Sequence, residues 1–187
     1  DFIVKNGDAV EVKKIGVDSR SVQLNSSYPK SKLYRNDPRI TPECRMTDGG
    51  KWDSKDIIYA IGYVDKKQVL KNLWFVYGDC YAADRDTYTV ILNAITNNIR
   101  KLKNLVLKKS TKEIAGVKKM DPLGITDLRV RGMWVIKSPK YVFDYIQDIN
   151  TDKYDFACHV VVSREKYYSF PLADRKKLES TASVAMK

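Results

Sequence analysis

Three charged side chains near the start of the chain have the types and spacing of a metal- and phosphate-binding site. They are Asp1, Glu11 and Lys13. Mg²⁺ is typically bound by one or two protein carboxylates together with substrate phosphate oxygens, and it supplies Lewis acidity and an activated water. Lys13, two residues after Glu11, would add an ammonium beside that water and phosphate. This chemistry requires that the chain bring the three side chains together.

A predicted β-hairpin over residues 1–13 decides whether the two acids meet. Two short β-type runs flank the Asn6-Gly7 dipeptide, which is the strongest short hairpin signal that a sequence offers. With a two-residue loop, Asp1 and Glu11 would project to opposite sides, because a one-residue change of register turns every side chain over. With a three-residue loop, and Gly7 in the left-handed position of a bulge, the two acids pair directly.

We predict the three-residue loop, because it separates apolar from charged side chains more cleanly. Its apolar face contains Phe2, Val4, Val10 and Val12, and its charged face contains Asp1, Glu11 and Lys13. Like charges directly opposite each other repel, and a bound divalent cation would cancel that repulsion. An ordinary surface hairpin of mixed charge is the alternative. Asp8 could replace Asp1 as a ligand if the register differed, although it would fall beside the turn.

The composition favours a polyanionic partner. The 187 residues include 34 Lys and Arg against 23 Asp and Glu, which gives a formal net charge of +11 and an isoelectric point near 9.4. Such an excess promotes binding to nucleic acid through counterion release. The sequence has no apolar run of transmembrane length, no signal-peptide pattern and no clear basic amphipathic helix.

The cysteines and the single histidine argue against several chemistries. Cys44, Cys80 and Cys158 are odd in number and far apart, so neither a disulfide framework nor a zinc site is indicated. A reducing cytoplasm is the natural compartment for such a chain. His159 lies in an apolar run and is predicted to be structural, so a Ser/His or Cys/His triad is not expected.

Two further regions carry groups suited to DNA contact. Residues 26–45 hold three prolines and several basic side chains and are predicted to form a long loop. Small polar and basic groups that suit phosphate and groove-edge contacts are Asn25, Ser26, Ser27, Lys30 and Lys32. Alternation over residues 128–134 predicts a strand with Arg129 and Arg131 on one face, which suits bidentate readout of guanine. A solvated loop, and arginines bound to phosphates or acidic neighbours, are the alternatives.

The rest of the chain predicts an α/β fold. Residues 57–64 and 73–77 are strands apolar on both faces, which indicates a central sheet covered on both sides. Asp84 is predicted to cap a helix over residues 85–102. Shorter elements are predicted as strands over residues 19–25, 155–162 and 167–170 and as helices over residues 139–149 and from Leu172 onward. We expect one domain, with a mixed sheet of about five or six strands flanked by helices.

Asp1 followed by Glu11-Val12-Lys13 resembles the PD-(D/E)xK signature of a nuclease superfamily. The proline of that motif would precede residue 1, so we expect the chain to lack an N-terminal segment. An ordered set of stretches resembles the NgoPII-type type II restriction endonucleases more specifically. The set comprises DAVEVKKI (8–15) with LNSSYPKSK (24–32), KDIIYAI (55–61) with YGDCYAAD (77–84), and DPLGIT (121–126) with RGMW (131–134).

This resemblance implies a single nuclease domain over residues 1–187 with a restriction-endonuclease-like core. It implies Mg²⁺-dependent cleavage of double-stranded DNA by a homodimer, at a short palindromic GGCC site, leaving 5′-phosphate ends. Mn²⁺ is expected to substitute for Mg²⁺. Asp1 and Glu11 would hold the metal together with the carbonyl of Val12, and Lys13 would orient or help deprotonate the attacking water.

A restriction activity further implies a cognate DNA methyltransferase as a functional rather than a physical partner. Two other functions stay open. The net charge alone would suffice for a non-catalytic basic DNA-binding protein. A structure-selective nuclease of the same superfamily, such as a junction resolvase, would use the same three residues on branched DNA.

Overall fold

The computed structural model describes residues 2–25, 27–101, 113–119, 121–146 and 154–186. The strands in these ranges are β1 (Phe2–Ile3), β2 (Ala9–Gly16), β3 (Ser21–Asn25), β4 (Lys32–Tyr34), β5 (Ser54–Val64), β6 (Leu70–Tyr77), β7 (Ala115–Val117), β8 (Leu128–Val130), β9 (Met133–Lys137) and β10 (Ala157–Val161). The helices are α1 (Pro42–Met46), α2 (Gly78–Tyr81), α3 (Arg85–Arg100), α4 (Pro139–Val142), α5 (Arg164–Ser169) and α6 (Leu172–Thr181). A 3₁₀ turn over Thr47–Gly50 follows α1.

Six strands form one mixed sheet, which confirms the predicted fold class. Its order is β1-β2-β5-β6-β10, and β4 pairs with the start of β5. The pairs β2–β5 and β6–β10 are parallel, whereas β1–β2, β4–β5 and β5–β6 are antiparallel. Two small antiparallel sheets, β3–β9 and β7–β8, accompany it. None of the helices in the described ranges is long and apolar enough to cross a membrane.

The first hairpin has the predicted three-residue loop. β1 pairs with β2 in the register Phe2↔Val10 and Ile3↔Ala9. Beyond β1, the N–H of Val4 donates to the carbonyl of Asp8 at 3.0 Å. The alternation of side chains that the sequence analysis predicts along β2 is therefore the alternation observed.

The turn of this hairpin is anchored to a later part of the chain. Asn6, rather than the predicted Gly7, is the left-handed residue (φ 55°), and Asn tolerates this region better than most side chains. Its N–H donates to Asp48 Oδ1 at 2.8 Å. The ammonium of Lys55 donates to the Gly7 carbonyl and to the Asp48 carboxylate, each at 2.7 Å. We call these contacts the turn anchor.

The two faces of the central sheet have different surroundings. One face forms the core with β3 and with Phe143, and its buried members include Ala9, Ile57, Tyr59, Ile61, Tyr63, Trp74, Val76 and Val161. On the other face Phe2, Val4, Val12 and Val160 are exposed. α5 reaches one end of this face, where the Lys166 ammonium lies 3.6 Å from the carboxylate of Asp8. The central strand β5 is buried on this face too, at Ala60, so the prediction of a sheet covered on both sides holds for β5 but not for the outer strands.

Several local predictions are also wrong. The segment predicted as a strand over residues 167–170 is helical in α5, because the Ser163 hydroxyl caps this helix by accepting from the N–H of Lys166. The strand predicted over residues 128–134 is interrupted at residues 131–132, and its second half pairs with β3 instead. The long loop over residues 26–45 contains β4 and α1. The helix predicted from residue 139 extends only to Val142.

Candidate functional site

Glu11 and Lys13 lie side by side on β2. Successive side chains of a strand alternate between faces, so both share the core-facing side with Ala9. The Nζ atom of Lys13 is 2.7 Å from Oε1 of Glu11, and the two side chains are 23% and 21% exposed. The structure thus brings together two of the three predicted catalytic side chains in a place that solvent reaches. Asp1, the third, lies outside the described residues.

Asp8, the alternative ligand, points to the opposite face of β2. Its carboxylate accepts a hydrogen bond from the Tyr77 hydroxyl at 3.1 Å and lies near the ammonium of Lys166. The same ammonium forms a 2.5 Å contact with Asp56. Through these contacts Asp8 helps to hold α5 against the sheet. Its carboxylate does not lie on the side of β2 that carries Glu11.

Tyr59 of β5 is the neighbour of Glu11 across the parallel pairing of β2 and β5. Its hydroxyl accepts a hydrogen bond from the N–H of Lys30 at 2.6 Å and donates to the carbonyl of the same residue at 3.1 Å. Burial raises the pKa of this hydroxyl, and the negative charge of Glu11 raises it further, so Tyr59 is a neutral phenol. Sequence analysis missed this residue. The available signal was a hydroxyl within an otherwise apolar strand.

Lys30 belongs to a different part of the chain, and the charges of Glu11 and Lys13 act on it. Its ammonium donates to the hydroxyl of Ser27. Burial lowers the pKa of Lys30, whereas the negative charges of Asp37 and Glu11 raise it. The positive charge of Lys13 also acts on the Lys30 ammonium. Lys30, which is predicted to contact DNA from a loop, is therefore a partly buried cation within electrostatic range of Glu11 and Lys13.

An aromatic cluster supports the chain beside Lys30. Tyr28 is buried and stacks on Tyr88 of α3 with 5.4 Å between ring centroids. Trp134 packs edge-on against Tyr28 at 6.2 Å, and the guanidinium of Arg39 lies 4.4 Å from the Tyr28 ring centroid. The Lys30 ammonium lies 5.5 Å from the same centroid. The segment that carries Lys30 is therefore packed against other elements.

The other predicted DNA contacts are dispersed. Asn25 is the exposed last residue of β3, and Lys32 begins β4 with its ammonium 3.5 Å from Asp56. Ser26 lies outside the described residues. Arg129 and Arg131 do share one side, but both bind Oε1 of Glu113, with the Nε and Nη2 atoms of Arg131 each at 3.4 Å. In this structure the two arginines have the acidic neighbour that the sequence analysis kept as an alternative.

Histidine and cysteine side chains take no part in this site. His159 is buried on β10, with its ring centroid 4.4 Å from that of Trp74, and its Nε2 atom lies 3.4 Å from Nδ2 of Asn72. The three cysteines are free. Among the described residues there is no cluster of three or more His, Cys, Asp or Glu side chains that could hold a metal.

Comparison with known proteins gives one consistent result. The family model for the NgoPII restriction endonuclease matches residues 1–187. The type II restriction enzyme NgoPII of Neisseria gonorrhoeae is 45% identical over 175 residues, which make up 94% of this chain and 62% of that enzyme. The chain therefore spans less than two thirds of the length of this relative. No solved structure gives a significant match.

Proposed function

The chain belongs to the NgoPII restriction endonuclease family, and from this membership we propose that the protein is a type II restriction endonuclease. It would hydrolyse phosphodiester bonds of double-stranded DNA at a short palindromic site, GGCC, in the cytoplasm of a prokaryotic cell. A cognate methyltransferase would protect the host DNA. The formal net charge of +11 supports a DNA substrate.

The observation that carries the proposal is the Glu11–Lys13 pair. A carboxylate and an ammonium 2.7 Å apart, each about one fifth exposed, can both reach a phosphate that approaches this edge of the core. Lys30 adds a second positive charge within electrostatic range.

The side chains present fit a divalent cation. Hard cations prefer oxygen ligands, and Mg²⁺ usually takes one or two carboxylates and completes its shell with water and phosphate oxygens. Glu11 would provide a carboxylate oxygen and Val12 its carbonyl oxygen, and Asp1 is proposed as the second carboxylate. Mg²⁺ is the proposed ion, with Mn²⁺ as a substitute. When bound, such an ion supplies Lewis acidity and lowers the pKa of a water ligand.

The chain's own cations would act on the water and the phosphate. Lys13 would orient the attacking water, help remove its proton and stabilise charge on the pentacoordinate transition state. In-line attack would leave 5′-phosphate and 3′-hydroxyl ends. The ion pair with Glu11 would keep the ammonium of Lys13 close to the point where this charge develops.

DNA contacts and assembly complete the proposal. Asn25, Ser26, Ser27, Lys30 and Lys32 would contact the DNA backbone and the groove edges. Arg129 and Arg131 would exchange Glu113 for guanines of the recognition site. A palindromic site matches the symmetry of a homodimer, so each protomer would cut one strand.

A plasmid assay tests the proposal. The full-length protein is incubated with two plasmids, one with GGCC sites and one with every such site removed, in Mg²⁺ and separately in Ca²⁺. We expect discrete fragments that DNA ligase can rejoin, from the first plasmid in Mg²⁺ alone. Untouched plasmid would support a non-catalytic binding protein. Cleavage of branched DNA without regard to sequence would support the structure-selective nuclease.

A further inference from the structure

We propose that Tyr59 is a positioning residue for DNA cleavage, which holds Lys30 as a second phosphate-binding cation beside Glu11 and Lys13. The inference rests on the proposed nuclease function. It adds to that function a buried phenol on the neighbouring strand, and it gives Lys30 a place at the cleaved phosphate rather than along the DNA backbone in general.

Tyr59 is itself held rigidly. It lies in the interior of β5, between β2 and β6, and is 2% exposed. Its ring packs edge-on against that of Tyr81 at 5.4 Å between centroids. A side chain fixed by two strand neighbours and by an aromatic contact can serve as a reference point for a less regular segment.

The hydroxyl of Tyr59 bonds to both main-chain groups of Lys30. It accepts from the N–H at 2.6 Å and donates to the carbonyl at 3.1 Å, which uses both hydrogen-bonding functions of a phenol on one residue. Residue 30 lies between strands β3 and β4, where no sheet hydrogen bonds fix it. The two hydrogen bonds with the Tyr59 hydroxyl hold the main chain of Lys30 instead.

Gly78 confines the same segment by close approach. A Cβ atom at this position would lie 2.5 Å from the carbonyl oxygens of both Lys30 and Ser31, and 2.4 Å from Cγ2 of Ile57. The backbone of Lys30 therefore packs directly on the glycine at the start of α2. Little displacement of Lys30 towards Gly78 is possible.

The position of the backbone, together with the contact to Ser27, limits where the Lys30 ammonium can act. This ammonium interacts electrostatically with Glu11 and Lys13, and it is held by the hydroxyl of Ser27. Among the described residues, the charges around Lys30 are three cations, Lys13, Lys30 and Arg39, against two carboxylates, Asp37 and Glu11. A phosphate diester brings negative charge that would balance this excess, and the ammonium groups of Lys13 and Lys30 would contact it.

Removal of the Tyr59 hydroxyl tests the inference. Tyr59→Phe keeps the ring and the core packing, but it releases the backbone of Lys30. We expect kcat for cleavage of a GGCC duplex to fall roughly 10- to 100-fold, because a displacement on the order of 1 Å can have that effect. The KM and the affinity for the duplex in EDTA should change much less, since the other proposed DNA contacts are left in place.

Tyr63→Phe is the matched control. Tyr63 lies four residues further along β5, is equally buried at 2% exposed, and its hydroxyl accepts from the N–H of Lys140 at 3.3 Å. Both variants lose one buried hydroxyl, so a general effect on stability should appear in both. Thermal unfolding is measured for each, and the kinetics are recorded where both are fully folded.

A double-mutant cycle tests whether Tyr59 acts through Lys30. If it does, Tyr59→Phe added to Lys30→Met should slow cleavage no further than Lys30→Met alone. Independent, multiplying losses would overturn the inference, as would wild-type kcat in Tyr59→Phe or an equal loss in Tyr63→Phe. If the wild type cleaves no DNA, the proposed function fails and the inference fails with it. If the wild type cleaves DNA and Tyr59→Phe cleaves it equally fast, the inference about Tyr59 fails but the proposed function stands.

Discussion

Glu11 and Tyr59 are direct partners in the parallel pairing of β2 with β5. The carboxylate at the edge of the core and the phenol inside it are therefore fixed by the same run of backbone hydrogen bonds. Sites built on strands are held more precisely than sites built on loops. The geometry of the candidate site follows from this pairing, and the following predictions test its members.

Glu11→Gln should abolish cleavage while DNA binding persists. The substitution keeps the shape of the side chain and removes the charge that would hold a cation, and we expect kcat to fall by more than about 100-fold. Duplex affinity in EDTA is measured by fluorescence anisotropy and should not weaken. Glu43→Gln, at an exposed acid in the first turn of α1, is the control with the same change of charge. Cleavage retained in Glu11→Gln would refute the assignment.

Lys13→Met and Lys13→Arg should separate charge from proton transfer. Both should fold, because the side chain is partly exposed. The methionine variant loses the ammonium and should lose kcat by about 100-fold or more, within the usual range for acid–base catalysis. The arginine variant keeps a positive charge but hardly loses a proton, so it should remain slow if Lys13 moves the proton. Full activity with arginine would show that charge alone is required.

Lys30 should titrate below the ordinary value of 10.5. Burial lowers the pKa of its amino group, the charges of Asp37 and Glu11 oppose this, and those of Arg39 and Lys13 add to it. Nuclear magnetic resonance of lysines labelled at Cε measures the shift, with Lys30→Met identifying the signal. A Lys30 signal that titrates at or above 10.5 in the folded protein would contradict the prediction.

The same shift fixes the sign of a stability effect. The unfolded chain binds the proton of Lys30 more tightly than the folded protein does, so this group makes stability rise with pH between the two pKa values. Its contribution is complete above the unfolded value and is lost as the pH falls through the folded one. Lys30→Met should remove this part of the pH dependence in urea unfolding. If the free energy of unfolding depended on pH in the same way in the variant and the wild type, the prediction would be contradicted.

Gly78→Ala should destabilise the protein and slow cleavage. The added methyl group would overlap the carbonyls of Lys30 and Ser31, and such overpacking lowers the free energy of unfolding by about 1–3 kcal/mol. Gly16→Ala is the control, since a Cβ there would meet only Oγ of Ser19 at an ordinary 3.5 Å. Urea unfolding and cleavage rates are compared. Equal stability of the two variants would contradict the close approach at Gly78.

Glu113→Gln should strengthen DNA binding if Arg129 and Arg131 contact DNA. The carboxylate binds both guanidinium groups, so removal of its charge would free them, and we expect tighter binding by several-fold at moderate salt. Glu165→Gln on α5 controls for the change of net charge. Arg129→Ala should then weaken binding to GGCC duplexes more than to unrelated ones. Equal effects of the two Glu variants on DNA binding would show that Arg129 and Arg131 do not contact DNA.

Features that depend on neighbouring residues could be predicted from the sequence. The hairpin register followed from the alternation of apolar and charged residues, and it placed Glu11 and Lys13 on one face, as observed. The mixed sheet followed from the long apolar runs that became β5 and β6. The helix predicted over residues 85–102 is α3, although the side chain of Asp84 makes no capping hydrogen bond. Ile91 and Ile95 of this helix are exposed, although its apolar residues recur at helical spacing.

Features that depend on distant parts of the chain could not be predicted. The bonds between Tyr59 and Lys30 join residues 29 positions apart, and they bring the loop before β4 against the side chain of Tyr59 on β5. Glu113 meets Arg131 across 18 positions, through the pairing of β7 with β8. The left-handed conformation of Asn6 depends on Asp48, 42 positions away. Periodicity and local composition carry no information about such contacts.

The turn anchor has a consequence for genetic experiments. Asp48 and Lys55 hold the tip of the hairpin, several residues along the strand from Glu11. If they are lost, β1 can slide against β2, which changes the residues that lie opposite Glu11, although β5 still holds β2. A selection for inactive variants should therefore recover substitutions at Asp48 and Lys55 beside those at Glu11. Structural assays on purified variants would distinguish such loosened hairpins from true losses of chemistry.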